Sequence, residues 1–398
     1  MLELSRKAQA VKPSSTLAIT AKAKEMKAEG YDVVGFGAGE PDFNTPRNIC
    51  DAAIEAINTG FTKYTPASGT AELKEAICEK FKRFNNLTYE PSQIVISNGG
   101  KHGLSNVFDA ILNPGDEVII PAPYWLSYPE MVKLSDGVPV IVTGTKEQNY
   151  KITAAQIEAA ITINTKALVL NTPSNPTGMI YSEQELREIA DVVVEHDIFV
   201  VADEMYENLI YGKEKHVSIA SFNDEIYKRT ITCSGLSKSY AMTGWRIGYT
   251  GSSKEIAKLM SSIQSHATSN PNSIAQKAAL EALTGSQDTV DEMRAEFNRR
   301  REYMYGRVKD MKYLSCIEPR GAFYVFIDAS EALEKSYQGE KVETAARLAE
   351  ILLSDYAVAV VPCADFGFAD HFRLSYAISI EQIEKGLDRI EEFLDSLE

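Results

Sequence analysis

Cysteine, histidine and tryptophan are scarce in this chain of 398 residues, which holds five, five and two of them. The cysteines, Cys50, Cys78, Cys233, Cys316 and Cys363, are scattered and odd in number, with no C-x-x-C pair. That argues against a disulfide framework or a cysteine-rich zinc site and fits a reducing compartment. Long apolar runs are missing: none approaches the roughly 18 residues that a membrane-spanning helix requires. The opening MLELSRKAQAVKPSST lacks the apolar stretch of a secretory signal, so a cytoplasmic location is expected, and the sequon at Asn86-Leu87-Thr88 is read as chance. Positive charge is in deficit, with 41 Lys and Arg against 56 Asp and Glu and a formal charge of −15. Such a surface makes nucleic acid and anionic membranes poor partners. If the substrates are anionic, cations must be gathered inside a cleft, since distant surface charge is screened beyond about 8–10 Å. Internal repeats and low-complexity tracts are also lacking.

What is present is an ordinary globular composition, 44% hydrophobic and 24% charged, long enough to bury a large core in two or three domains. Short apolar runs read as strands at 93–97, 117–120, 138–142, 167–171, 198–202, 230–233 and 246–250. Amphipathic stretches lie between several of them. In 183–196, Leu186, Ile189, Ala190, Val193 and Val194 share one face. Fully apolar strands alternating with helices indicate an α/β fold with a mostly parallel sheet covered on both sides. The character changes near residue 288. A long charged helix over 288–311 leads into strands at 321–328, 357–361 and 371–376, flanked by helices at 343–354 and 380–397. This reads as a smaller α+β domain. The N-terminal segment 1–46, with a helix near 17–30 and a Pro/Gly-rich loop at 35–46, is expected to join it. The expected division is 1–46 with the small domain, 47–287 as the large domain, and 288–398 as the small C-terminal domain.

The strongest chemical signal is SGLSKSYAMTGWRIG at 234–248. Lys238 follows a turn of small residues after an apolar strand, and Arg246 lies eight positions on, between Gly244 and Gly248. Strand ends are where α/β sheets bind ligands, and a lysine there can form a Schiff base with an aldehyde cofactor. Asp203 ends another apolar run, where a carboxylate can pair with a protonated ring nitrogen. Asn175 sits in a loop stiffened by Pro173 and Pro176. Gly99 and Gly100 follow a strand and open a helix, leaving bare N–H groups suited to a phosphate. Arg373, within the strand FRLSYA, offers a guanidinium that matches a carboxylate with two parallel hydrogen bonds.

Together with AGEPDF (38–43), KYTPASG (63–69), SNGGKHG (97–103), NTPSNPTG (171–178) and ADEMY (202–206), these stretches stand in an order that resembles class I pyridoxal 5'-phosphate (PLP) aminotransferases. The resemblance spans nearly the whole chain and is nearest to the bacterial-type aspartate aminotransferase branch, which includes prephenate aminotransferases. It implies PLP-dependent transferase fold type I, with a seven-stranded sheet in the large domain. It implies PLP held by Lys238, with Asp203 on the pyridine nitrogen and Trp125 stacked on the ring. Asn175 and Tyr206 would donate to the phenolate oxygen. Gly99, Gly100, Lys101 and Arg246 would surround the phosphate. Many members place a serine three residues before the lysine; this chain has Gly235 there, which leaves Ser237 or Ser234 to supply the hydroxyl. Arg373 and the backbone of Gly39 would take the substrate α-carboxylate. Tyr64 would reach the cofactor phosphate of a neighbouring subunit, implying a homodimer with shared active sites.

The resemblance further implies amino acids and 2-oxo acids as substrates. A distal carboxylate needs a second cation, yet 261–276 (SSIQSHATSNPNSIAQ) has no arginine. The branch instead uses a lysine after the glycine turn and hydroxyls near the N-terminus, which match Lys101 and Thr16, with Ser14 nearby. Aspartate transamination is the expected reaction. Prephenate or aromatic transamination, or PLP-dependent lyase chemistry, shares the same core residues. A non-catalytic PLP-sensing domain of a regulator would need an attached DNA-binding domain. No metal is expected.

Overall fold

The computed structural model describes residues 3–12 and 15–398, apart from the side chains of residues 15–17. Seven strands form the main sheet: β1 (Ile94–Asn98), β2 (Glu117–Ala122), β3 (Val138–Thr143), β4 (Thr165–Asn171), β5 (Phe199–Asp203), β6 (Thr230–Gly235) and β7 (Ile247–Gly251). Their order is β1-β7-β6-β5-β4-β2-β3. β7 runs antiparallel to both neighbours, and the other pairs are parallel. Every residue of β6 and β7 is buried. The buried runs 167–170 of β4 and 200–202 of β5 read as unbroken apolar segments because both faces are covered. On one face Leu168 and Val200 pack with Leu186, Ile189 and Val193 of helix Glu183–Glu195. Ser182 starts that helix in a reciprocal capping box with Glu185. On the other face Val169 and Val201 pack with Leu104, Val107 and Phe108 of helix Gly100–Ile111. Alternate strand residues thus feed two different cores.

A second, antiparallel sheet comprises β8 (Ser315–Cys316), β9 (Tyr324–Asp328), β10 (Val361–Pro362) and β11 (His371–Ser375), in the order β10-β11-β9-β8. Helices Asp288–Val308, Ala345–Tyr356 and Ile380–Asp395 share its core through Phe297, Leu352, Leu387 and Phe393. The later part of the N-terminal segment lies with this part of the molecule, whereas Lys7 and Lys12 bond to Leu134, Asp136 and Glu130 between β2 and β3 of the main sheet. Val34–Gly35 pairs in parallel with Val358–Ala359, and Ala23 and Met26 bury against Ala359.

Two strands differ from the sequence reading. The run 357–361 divides, because Val358–Ala359 pairs with Val34–Gly35 while Val361 already pairs with Arg373 of β11. The strand expected from 321 begins at Tyr324. Ala322 is left-handed, with φ 57°, and Gly321 bridges instead to Ile210. The long helix ends at Val308 rather than 311. Among the described residues, no helix is long and apolar enough to cross a membrane.

Candidate active site

The carboxyl ends of β1, β2, β4, β5 and β6 open on one cavity of about 260 Å³, and β9 and β11 of the second sheet close its far side through Tyr324 and Arg373. Four cations line it, Lys101, Lys238, Arg246 and Arg373, against one carboxylate, Asp203. A chain of net charge −15 therefore surrounds this cavity with positive groups. Such an arrangement suits an anionic ligand.

Lys238 stands three residues beyond β6, and its ammonium donates to the carbonyl of Gly39. Burial pulls its pKa down to about 8, with Arg246 and Arg373 adding to the fall while Glu40 and Asp203 oppose it. A larger fraction of this amine is therefore free base near neutrality than for an exposed lysine, as a nucleophile requires. Asp203, the last residue of β5, is buried. Tyr128 donates to its Oδ2 at 2.6 Å and the Met205 N–H to its Oδ1 at 3.1 Å. Burial raises the Asp203 pKa, and those two donors oppose the rise. No described cation forms an ion pair with this carboxylate, so a cationic ligand group would meet an anion already held in place.

Gly99 has φ 86°, and a Cβ there would lie 2.1 Å from Nη2 of Arg246. Only glycine lets the guanidinium lie flat against this turn. Helix Gly100–Ile111 begins at the next residue, so its free N–H groups and Arg246 converge on one edge of the cavity. Ser237 lines the cavity, whereas Ser234 donates to Oε1 of Glu207 at 2.6 Å. Gly235 cannot carry a side chain without displacement: a Cβ would lie 2.9 Å from Cε of Met205 and 3.1 Å from the carbonyl oxygen of Ile247. Trp125 lines the cavity edge-on to Tyr128, and the Lys101 ammonium sits 4.9 Å from the Trp125 ring centroid.

Arg373 is 2% exposed. Its Nη1 donates to Oδ1 of Asn175 at 2.7 Å and its Nη2 to the carbonyl of Gly37 at 3.4 Å, while Nε has no partner. No carboxylate among the described residues pairs with it. A buried guanidinium left without a counter-ion is costly, and a ligand carboxylate would remove the cost. Asn175 is itself fixed, since its N–H donates to Oδ1 of Asn171 at 2.9 Å. Tyr206 meets the Tyr324 hydroxyl at 2.9 Å.

Gly39, Gly100, Lys101, Trp125, Asn175, Asp203, Tyr206, Ser237, Lys238, Arg246 and Arg373 all border this one cavity; Gly99 adjoins it through Arg246. Tyr64 does not border it, and is 89% exposed. Ser14 and the Thr16 side chain lie outside the described residues. Sequence reasoning missed Tyr128, Asn171 and Tyr324, which all border the cavity. Tyr128 carried a usable signal, standing one helical turn after Trp125; the other two read as ordinary strand residues.

The family model for aminotransferases of class I and II matches residues 31–390. The chain belongs to the class I and II aminotransferase family. It is a transaminase of fold type I. It is 49% identical over 394 residues to an aspartate aminotransferase of Bacillus subtilis, covering 99% of both chains. It is 48% identical to an aspartate/prephenate aminotransferase of Cereibacter sphaeroides, covering 97% of each. Among solved structures, the aspartate aminotransferase of Rhizobium meliloti superposes with a TM-score of 0.96 at 42% identity, covering 100% of each chain. The Thermus thermophilus enzyme with maleate gives 0.93 at 44% identity, covering 99% of this chain and 100% of that one.

Proposed function

We propose that this transaminase is a PLP-dependent aspartate aminotransferase, moving the amino group of L-aspartate to 2-oxoglutarate in a homodimer. The observation that carries the reading is Arg373: a buried guanidinium without a counter-ion, across one cavity from a lysine of depressed pKa and a buried carboxylate. The residues present fit PLP. The buried Asp203 would hold its ring nitrogen, the Gly99–Gly100 turn with Ser237 and Arg246 its phosphate, Trp125 its ring face, and Asn175 and Tyr206 its phenolate oxygen. When bound, PLP supplies an electron sink for the charge left as the substrate Cα loses its proton. Lys238 anchors the cofactor and then moves that proton at the substrate Cα. Arg373 and the Gly39 backbone orient the α-carboxylate. Lys101 would meet the distal one; Ser14 and the Thr16 side chain, which the family resemblance adds to that role, lie outside the described residues. Tyr64, exposed in the single chain, would reach the phosphate in a partner subunit.

We also take 47–287 as the cofactor-binding unit, and 288–398 with 1–46 as the unit bearing the carboxylate clamp. The separate sheets and the pairing of Val34–Gly35 with Val358–Ala359 support this division. Relatives named for prephenate as well as aspartate, and a cavity cation on a flexible lysine stem, favour prephenate as a second acceptor. The test is a panel pairing aspartate and glutamate with oxaloacetate, 2-oxoglutarate, prephenate and phenylpyruvate. Amino transfer between aspartate and 2-oxoglutarate is expected. Release of pyruvate and ammonia without transfer would overturn the reading in favour of a lyase.

A further inference from the structure

Tyr324 was not singled out by any feature of the sequence, yet it touches both halves of the site. It is the first residue of β9 and is 1% exposed. The Arg373 guanidinium carbon lies 4.1 Å from its ring centroid, and its hydroxyl lies 2.9 Å from that of Tyr206. Backbone register enforces the first contact. On β9 and β11, Phe326 opposes Arg373 and Tyr324 opposes Ser375, so Tyr324 and Arg373 are diagonal neighbours on one face. The second contact joins the two sheets. Tyr206 follows β5 by three residues, and its ring packs edge-on to Phe323 with centroids 5.4 Å apart.

Two buried phenols that share one hydrogen bond have two protons between them. One proton lies in the bond and the other must point elsewhere. Both residues border the cavity, and the Tyr324 hydroxyl lies 3.5 Å from where a Cβ on Gly39 would stand, so the direction of the bond decides which phenol has its proton free for the cavity. The surroundings decide the direction. Burial raises the pKa of both phenols, that of Tyr206 the further; the Arg373 guanidinium against the Tyr324 ring opposes the rise there, whereas at Tyr206 the opposing effect of Arg373 is partly offset by the Asp203 carboxylate. The more acidic phenol is the better donor. The charged groups facing the pair are Asp203 after β5, Arg373 on β11 and Lys238 after β6.

We propose that Tyr324 is a positioning residue. Its hydroxyl donates to Tyr206 and thereby turns the Tyr206 proton into the cavity, while its ring supports the Arg373 guanidinium from below. A donor that is itself hydrogen-bonded polarises further, so Tyr206 becomes a stronger donor than an isolated tyrosine. The carboxylate clamp and the Tyr206 donor are in this way set by one side chain. This rests on the reading that Tyr206 faces the cofactor's phenolate oxygen.

The test uses the PLP-loaded enzyme and reads the pH midpoint of the bound cofactor's visible absorbance. A donor to the phenolate oxygen favours the deprotonated chromophore, so weakening it raises the midpoint. Tyr324→Phe keeps the ring under Arg373 and removes only the hydroxyl. It should raise the midpoint by roughly half a unit to one unit, with dissociation of maleate, a non-reacting dicarboxylate, unchanged within about twofold. The decisive comparison is a double-mutant cycle. Because Tyr324 acts through Tyr206, adding Tyr324→Phe to Tyr206→Phe should produce no additional shift. An equal shift in both backgrounds, or none in the wild-type background, overturns the proposal. If Tyr206→Phe alone leaves the midpoint in place, it is the reading of the Tyr206 site that fails. A purely packing role for Tyr324 would alter the melting temperature and leave the midpoint where it was.

Discussion

The lysine proposed to anchor the cofactor is made reactive by position. Lys238 has no carboxylate in contact, its ammonium resting on the Gly39 carbonyl, and burial brings its pKa to about 8. Exposed lysines titrate near 10.4. Only the free amine reacts with an aldehyde, so its modification rate must rise with pH and level off above its own pKa. In the cofactor-free enzyme, reductive methylation of Lys238, followed by peptide mapping, is expected to reach half its plateau near pH 8. Surface lysines should still be accelerating at pH 9. A Lys238 profile that tracks them would show that burial does not tune this amine. Lys101 plays a different part. Its ammonium sits over Trp125 at the cavity edge, free to meet a second carboxylate. Lys101→Ala is expected to raise the KM for aspartate and glutamate by about 10- to 150-fold, the effect of losing a charge-assisted contact. Alanine and phenylalanine, which lack that carboxylate, should be affected far less. An equal loss on all substrates would place Lys101 on the cofactor phosphate or in folding.

At the scale of elements, the turn between β1 and its helix is the most constrained piece of the site. Gly99 combines a left-handed φ of 86° with a guanidinium where a Cβ would stand. The obstructing atom is the far end of a flexible side chain, so Gly99→Ala should fold, at a backbone cost of about 1–3 kcal/mol. Its main effect falls on Arg246, which must leave the turn. Dissociation of PLP, followed by absorbance, is expected to become about tenfold easier, matching roughly 1.4 kcal/mol for one displaced contact. Unchanged PLP affinity would separate Arg246 from the phosphate. The seven strands of the main sheet were legible because a doubly covered parallel sheet needs uninterrupted apolar segments, such as ALVL before Asn171 and FVVA before Asp203. The run Ala357–Val361 was not legible as two strands. Its apolar character is the same whether it pairs once or changes partner at Val360; only the distant Val34–Gly35 and Arg373 decide that. Charged and glycine residues of the site were found because they stand within stretches that together resemble class I aminotransferases, several of them just past strand ends. Tyr324 was not, because a buried tyrosine inside a strand looks like core until Arg373 and Tyr206 are seen on either side of it. The missing serine at Gly235 also has its reason in three dimensions, since Met205 and the backbone of Ile247 fill the space a Cβ would need.

At the scale of the whole molecule, the site is assembled from two sheets that share few covalent links. Lys238 and Asp203 belong to the seven-stranded sheet and Arg373 to the four-stranded one. In the absence of a substrate the links between the two bodies at this point are the bond from Arg373 to Asn175, the pair of phenols beside it and the bond from Lys238 to the Gly39 carbonyl. A bound dicarboxylate adds a charged bridge between the same two bodies. In the proposed reading its α-carboxylate would meet the buried Arg373 guanidinium, which has no counter-ion, and its other end would meet Lys101 across the cavity. An interaction that spans both bodies favours the arrangement in which they are closest, and that arrangement also excludes water from the proton transfer at Lys238. Small-angle scattering of the PLP-loaded enzyme is therefore expected to show a smaller radius of gyration with saturating maleate than without it. Acetate at equal concentration, with one carboxylate, should leave the curve unchanged. Arg373→Leu removes the anchor on one body and should abolish the contraction while the PLP absorbance remains. Identical curves with and without maleate would mean that the two sheets already stand in their working arrangement, with substrate entering a cavity that does not close.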